Sequence, residues 1–204
     1  IRLHHLDWGN HGKHPVVLVH GARLHAHVWN DYSRRVKHRY HVIAVDQRGH
    51  GDSDWVANAH YAFSDYARDA LCLGEQIFAA HGSRPVAIGA SMGGLASLLA
   101  LGLKGDVFSA LVLVDITPHM DPGGVDAIQG FMRAKAQDGF ASIEEAADAV
   151  AAYLPHRPRP KSLEGLKRNL RQSADGRWRW HWDPLFLDGP RPVSHDGENF
   201  VLMA

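Results

Sequence analysis

Residues Gly89-Ala90-Ser91-Met92-Gly93 spell G-x-S-x-G between an apolar run, Pro85 to Ile88, and a helix-like run, Leu95 to Leu103. That setting constrains the chain more than any other feature. A strand enters, the backbone turns too sharply for bulky flanking residues, and a helix leaves. The glycines let strand and helix pass closely, and the serine is held in a strained conformation with its hydroxyl above the sheet. Outside such a setting the same pentapeptide is only a Gly-rich turn whose serine caps a helix.

The flanking sequence supplies the sheet. Val16-Val17-Leu18-Val19, Val42-Ile43-Ala44-Val45 and Leu111-Val112-Leu113-Val114 are apolar runs without polar alternation, the pattern of parallel strands covered on both faces. Ile1 to Asp7 reads as a more polar edge strand. A helix is expected from Ser64, as N-cap, to His81, with Gly82 as its stop; Tyr66, Ala70, Leu73 and Ile77 recur at helical spacing and should face the sheet. Alternating strands and helices predict an α/β fold: a doubly wound, mostly parallel sheet with helices on both faces.

After Asp115 the pattern changes. Pro118 to about Asp188 holds no buried-strand run. Helices are expected over Asp126 to Ala136, from the capping box Ser142-Ile143-Glu144-Glu145 to before Pro155, and after Ser162 through Leu163, Leu166 and Leu170. Asp175-Gly176 makes a turn before Arg177-Trp178-Arg179-Trp180-His181-Trp182, whose tryptophans share one face and should pack this segment onto the rest. The organisation expected is a core over 1–116, a helical cap over 117–188, inserted after the Leu111–Val114 strand, and the start of a return to the core over 189–204.

A serine hydroxyl needs a base and an oxyanion site to attack a carbonyl. The backbone N–H of Met92, at its helix's N-terminus, and that of Ala22, in the loop His20-Gly21-Ala22-Arg23 after the first buried run, are the candidate oxyanion donors. The His20 side chain is read as structural.

These pieces, together with Asp46-Gln47-Arg48-Gly49-His50-Gly51-Asp52-Ser53, resemble in order and spacing the α/β-hydrolase family, specifically its capped, esterase-like branch. Arg48 and Asp52 are read as fixing their loop. The resemblance implies hydrolysis of carboxylic ester-type bonds through an acyl-serine intermediate, without a cofactor, with Ser91 as nucleophile, Gly89 and Gly93 as elbow glycines and a small-molecule substrate between core and cap. The serine argues against the aspartate-dependent dehalogenase-like and epoxide-hydrolase-like relatives. C–C bond hydrolysis, cofactor-free haloperoxidase-like chemistry, or a non-catalytic module that has lost its histidine are the alternatives.

Family order is Ser, then acid, then His. Asp115, at the end of its strand, is the tentative acid. None of His119, His156, His181 and His195 follows a buried strand, and the expected final strand–helix units are not found, so a C-terminally truncated copy is expected. Its Leu111–Val114 strand would then be an exposed edge prone to self-association.

Lys plus Arg (22) equal Asp plus Glu (22), so no global field favours nucleic acid or an anionic membrane, and no run of about 18 apolar residues is present. Cys72 is the one cysteine, consistent with a reducing, cytoplasmic setting. The sixteen histidines include clusters such as His4, His5, His11, His14 and His25-x-His27, but none has ligand spacing like H-E-x-x-H. No metal and no cofactor are assigned.

Overall fold

The structure, a computed structural model, describes residues 1–116, 122–156, 159 and 162–193, with 122 and 124–127 described by backbone alone. Among the described residues, five strands form the main sheet in the order β1-β3-β2-β4-β5: β1 (His5–Asp7), β2 (Pro15–Val19), β3 (His41–Val45), β4 (Val86–Ala90) and β5 (Ala110–Val114). β1 is antiparallel to β3, and every other pairing is parallel. The predicted doubly wound α/β sheet is therefore present.

Its core follows from the two-residue period of the strands. Val16, Leu18, Val42, Ala44 and Ile88 point to one face, under Ala26, Trp29 and Val36 of a 3-10 turn (Ala26–Trp29) and helix α1 (Asn30–Val36). Val17, Val19, Ile43, Val45 and Ala87 point to the other, against Ala70, Ile77 and Ala100 of helices α2 (Phe63–His81) and α3 (Met92–Leu103). Tyr66, Ala70 and Ile77 are buried and Leu73 half-buried, as the spacing predicts. Gly82 ends α2 with φ 69°.

The start of α2 differs from expectation. Ala62, not Ser64, is the N-cap. The Asp65 carboxylate accepts the Ala62 N–H at 3.1 Å, so the third helical residue caps the turn from inside, and the Ser64 hydroxyl is engaged by Arg191 at 3.0 Å.

Beyond β5 come helices α4 (Pro122–Arg133), α5 (Ile143–Tyr153), α6 (Glu164–Arg168) and α7 (Leu185–Asp188). The capping box of α5 is half made: Ser142 Oγ accepts the Glu145 N–H at 3.1 Å, while the Glu145 carboxylate accepts from Ala141 instead of Ser142. The expectation of helix through Leu170 is corrected. α6 stops at Arg168, and β6 (Leu170–Gln172) forms a hairpin with β7 (Trp178–Trp180). The Asp175-Gly176 turn closes this hairpin, with φ 80° at Gly176. Trp180 and Trp182 bury into a cluster with Tyr61, Tyr66, Met92 and Phe186, which holds the post-β5 segment on α2, α3 and the loop before α2. Residues 194–204, in the segment expected to start a return to the core, lie outside the described residues. Among those described, no helix is long and apolar enough to cross a membrane.

Candidate active site

The parallel strands end at Val19, Val45, Ala90 and Val114, so the segments after them share the carboxyl rim of the sheet, where open α/β sheets bind ligands. Ser91 stands there between β4 and α3 with φ 46° and ψ −120°. This left-handed strain is held by close packing. A Cβ on Gly93 would lie 2.5 Å from the carbonyl oxygen of His20 and 2.6 Å from that of Val19. One on Gly89 would lie 2.6 Å from the Gly94 Cα. The helix start is thus pressed against the ends of both β2 and β4, which only glycine allows.

The loop after β2 comes equally close. A Cβ on Gly21 would stand 3.3 Å from the Ser91 Cβ, and Ala22 packs on the cluster that contains Met92. Met92 opens the twelve-residue α3, and its N–H has no partner within the helix. Neither the Ala22 nor the Met92 N–H donates to another described residue. The Ser91 hydroxyl likewise makes no hydrogen bond to one.

Asp115 lies beside the elbow: Ala90 pairs with Val114, and Asp115 follows with φ 54°. Its side chain is exposed and makes no ion pair or hydrogen bond with another described residue. His119 and His195 lie outside the described residues. His156 is exposed, and His181 is held 3.4 Å from Asp52. None of the described histidines bonds to Ser91.

His20 is structural in its contacts. Its Nδ1–H donates to the Gly21 carbonyl at 2.7 Å, and its Nε2 accepts the Gln47 N–H at 3.0 Å. Burial pushes its pKa down to about 4, so it stays neutral. Arg48 forks onto Asp69 at 2.6 and 2.7 Å and donates to the His60 carbonyl. The Asp52 N–H donates to Asp46 at 3.0 Å. Arg48 thus fixes the Asp46–Ser53 loop, whereas Asp52 contributes its N–H to the loop and turns its carboxylate to Arg171 and His181, each at 3.4 Å. Asp46 itself accepts from Ala26, Asp52 and His4, and this hydrogen bonding keeps its pKa below the usual carboxylate value despite burial.

Sequence reasoning missed Arg23. Two residues past Gly21, and with φ 59°, it carries its guanidinium 5.4 Å from the ring centroids of both Phe131 and Tyr153, which stack at 4.3 Å. Burial lowers its pKa. It forms no ion pair among the described residues. Its partners belong to α4 and α5, and their meeting with the β2 loop left no signal in local spacing.

Residues 16–201 match the alpha/beta hydrolase family. The chain belongs to that family. It is 28% identical to Esterase Rv0045c of Mycobacterium tuberculosis over 88% of its own length and 60% of that protein's. It is 37% identical to a non-heme chloroperoxidase of Streptomyces lividans over 56% of its length and 41% of the relative's. Among solved structures, an E-2-(acetamidomethylene)succinate hydrolase superposes with a TM-score of 0.76 at 25% identity, covering 93% of this chain and 68% of that one. The chain thus spans only part of the length of these hydrolase-family relatives.

Proposed function

We propose that the protein is a serine hydrolase cleaving carboxylic ester-type acyl bonds of small molecules through an acyl-serine intermediate. The single observation that carries this reading is Ser91 at φ 46° on a strand–helix junction, with Gly21 against its Cβ. Ser91 Oγ attacks the carbonyl carbon, and the oxyanion that forms is met by the N–H groups of Ala22 and Met92. One such donor contributes about 3 kcal/mol to lowering the barrier. Asp115 is the proposed acid. The similarity to a mycobacterial esterase supports the ester-type substrate.

Residues 1–116 are the proposed core, 117–188 a cap and 189–204 a return toward the core. The substrate would sit between Ser91 and the α4–α5 aromatics, in a reading that uses no cofactor and places the protein in the cytoplasm. The exposed edge of β5 is a proposed surface for self-association.

A fluorophosphonate probe tests the nucleophile. Labelling at Ser91 that disappears in Ser91→Ala is the expected result. Absence of labelling would favour a non-catalytic module. The likeness to a chloroperoxidase keeps halogenation as a second reading; turnover of halide and peroxide exceeding ester hydrolysis would select it.

A further inference from the structure

The opposite rim of the sheet carries a cluster that the proposed hydrolysis does not use. β1 ends at Asp7, β3 begins at His41 and α2 ends at His81, and the turn after β1 returns His11 to the same place. His41 is buried, with its Nε2 2.9 Å from Asp7 Oδ1 and its Nδ1 3.0 Å from His81 Nε2. His11 Nδ1 stands 3.7 Å from Asp7 Oδ2, and its ring centroid is 4.4 Å from that of His41. One carboxylate oxygen of Asp7 and one ring nitrogen each of His11 and His41 lie within 4.8 Å of one another.

We propose that Asp7, His11 and His41 form a binding site for a divalent transition-metal ion of the Zn2+ type. Two imidazoles and a carboxylate are a donor set suited to such ions. A tetrahedral ion with ligands about 2.0–2.1 Å away sets those ligands roughly 3.4 Å apart. His41 Nε2 stands 2.9 Å from Asp7 Oδ1 and His11 Nδ1 3.7 Å from Asp7 Oδ2, close enough for small side-chain movements to reach that spacing, and His11, with its side chain 70% exposed, is free to adjust. His41, 4% exposed, is the fixed ligand. Once its Nε2 binds the ion, its Nδ1–H donates to His81 Nε2, the arrangement that orients metal-bound imidazoles. A groove lined by His11, His14, His81 and Ser83 borders the cluster and gives an ion a route in.

The other grouping of this kind, His4 with Asp46 and Asp52, carries no such inference, because a backbone N–H already engages each oxygen of Asp46, whereas in Asp7 only Oδ1 accepts one, from Gly9 at 2.7 Å, and Oδ2 accepts none among the described residues. β3 runs from His41 to Val45, so four steps, about 13 Å at the rise of a strand, separate His41 from the carboxyl rim. The ion would therefore act structurally, fastening the short β1 and its turn to β3.

The test is calorimetric titration of the 204-residue chain with Zn2+, together with Co2+ titration followed by visible absorbance. One ion per chain is expected, with a Co2+ ligand-field band characteristic of nitrogen and oxygen donors and a melting temperature raised by Zn2+. His11→Ala and Asp7→Asn should each weaken Zn2+ binding by about tenfold or more, and His11→Ala should remove the Co2+ band and the melting shift. His27→Ala, a change at an exposed histidine outside the cluster, should leave all three unchanged. His11→Ala lies on an exposed side chain, so a melting temperature equal to the metal-free wild type shows that it is folded. The proposal is overturned if the two cluster variants bind Zn2+ as the wild type does, or if His27→Ala weakens binding equally.

Discussion

The Ser91 N–H donates to the carbonyl of Val114 at 3.0 Å, tying the elbow to the last residue of β5. Together with the Gly94 and Leu95 N–H groups on the Ser91 carbonyl, at 2.9 and 3.1 Å, it holds a non-glycine residue at φ 46° and ψ −120°. Such a conformation costs about 1–3 kcal/mol. Ser91→Ala keeps that strain, whereas Ser91→Gly releases it at an entropic cost of roughly 0.5–1 kcal/mol. Ser91→Gly should therefore be more stable than Ser91→Ala by about 1 kcal/mol, or about 2–4 °C in Tm for a chain of this size. Calorimetry of the two variants checks this; equal melting temperatures would show that the backbone relaxes.

Gly93→Ala should be more damaging than a change of one methyl group suggests. Its Cβ would meet the carbonyls of Val19 and His20, which are backbone atoms and cannot swing aside. Overpacking of this kind costs about 1–3 kcal/mol, and the upper end is expected here. The displacement would also separate the Met92 N–H from the Ala22 loop. Slower fluorophosphonate labelling alongside a lower urea midpoint is the expected pair of results; unaltered labelling would argue that Met92 donates nothing to the oxyanion.

The sheet was legible because β2, β3 and β4 are covered on both faces and so appear as unbroken apolar runs, as in Val16 to Val19. The elbow was legible because its backbone geometry demands small residues at fixed offsets from Ser91. What depended on tertiary contact was not. Leu170 continues the spacing of Leu163 and Leu166, so periodicity extended the helix, but its pairing with Trp180 makes it strand. Arg23 takes its meaning from Phe131 and Tyr153, over 100 residues away in sequence. Asp7, His41 and His81 are likewise unrelated in local spacing, and only the order β1-β3-β2 and the return of α2 bring them together.

The free edge of β5 leads to a prediction about assembly. Val112, Leu113 and Val114 are 46%, 36% and 38% exposed, and among the described residues no strand pairs with the side of β5 away from β4. Unprotected apolar edges recruit further strands. Sedimentation velocity should show association that grows with concentration. Val112→Lys, which places a charge on the edge, should shift the chain toward monomer. A wild type that stays monomeric at the highest attainable concentration would refute the edge as an interface.

Stability should fall steeply in mild acid because of His20 and His50. Both are fully buried, their rings 5.4 Å apart. His20 has no room for a second ring proton, since its Nε2 already accepts the Gln47 N–H. His50 donates through Nδ1 to the Arg48 carbonyl at 2.9 Å. Burial pushes their pKa values down to about 4 and about 3, the charge of His20 further opposing protonation of His50. In the unfolded chain both return toward the ordinary value of about 6.5. Above that pH neither state binds the extra protons and stability is unaffected. As pH falls below it the unfolded state binds more protons, so stability declines until the folded pKa values are passed. Each histidine contributes a slope of up to about 1.4 kcal/mol per pH unit, so the pair loses about 5 kcal/mol between about pH 6 and 4. Against a typical domain stability of roughly 5–15 kcal/mol, that is enough to bring unfolding into the range of pH 4 to 5. Urea midpoints measured from pH 7.5 down to 5 should show the decline, and His50→Gln should make its slope shallower by roughly a third, with His20 and His181, which burial also pushes down to about 4, supplying most of the rest. A flat profile for the wild type would mean that one of these rings takes up its proton within the folded core.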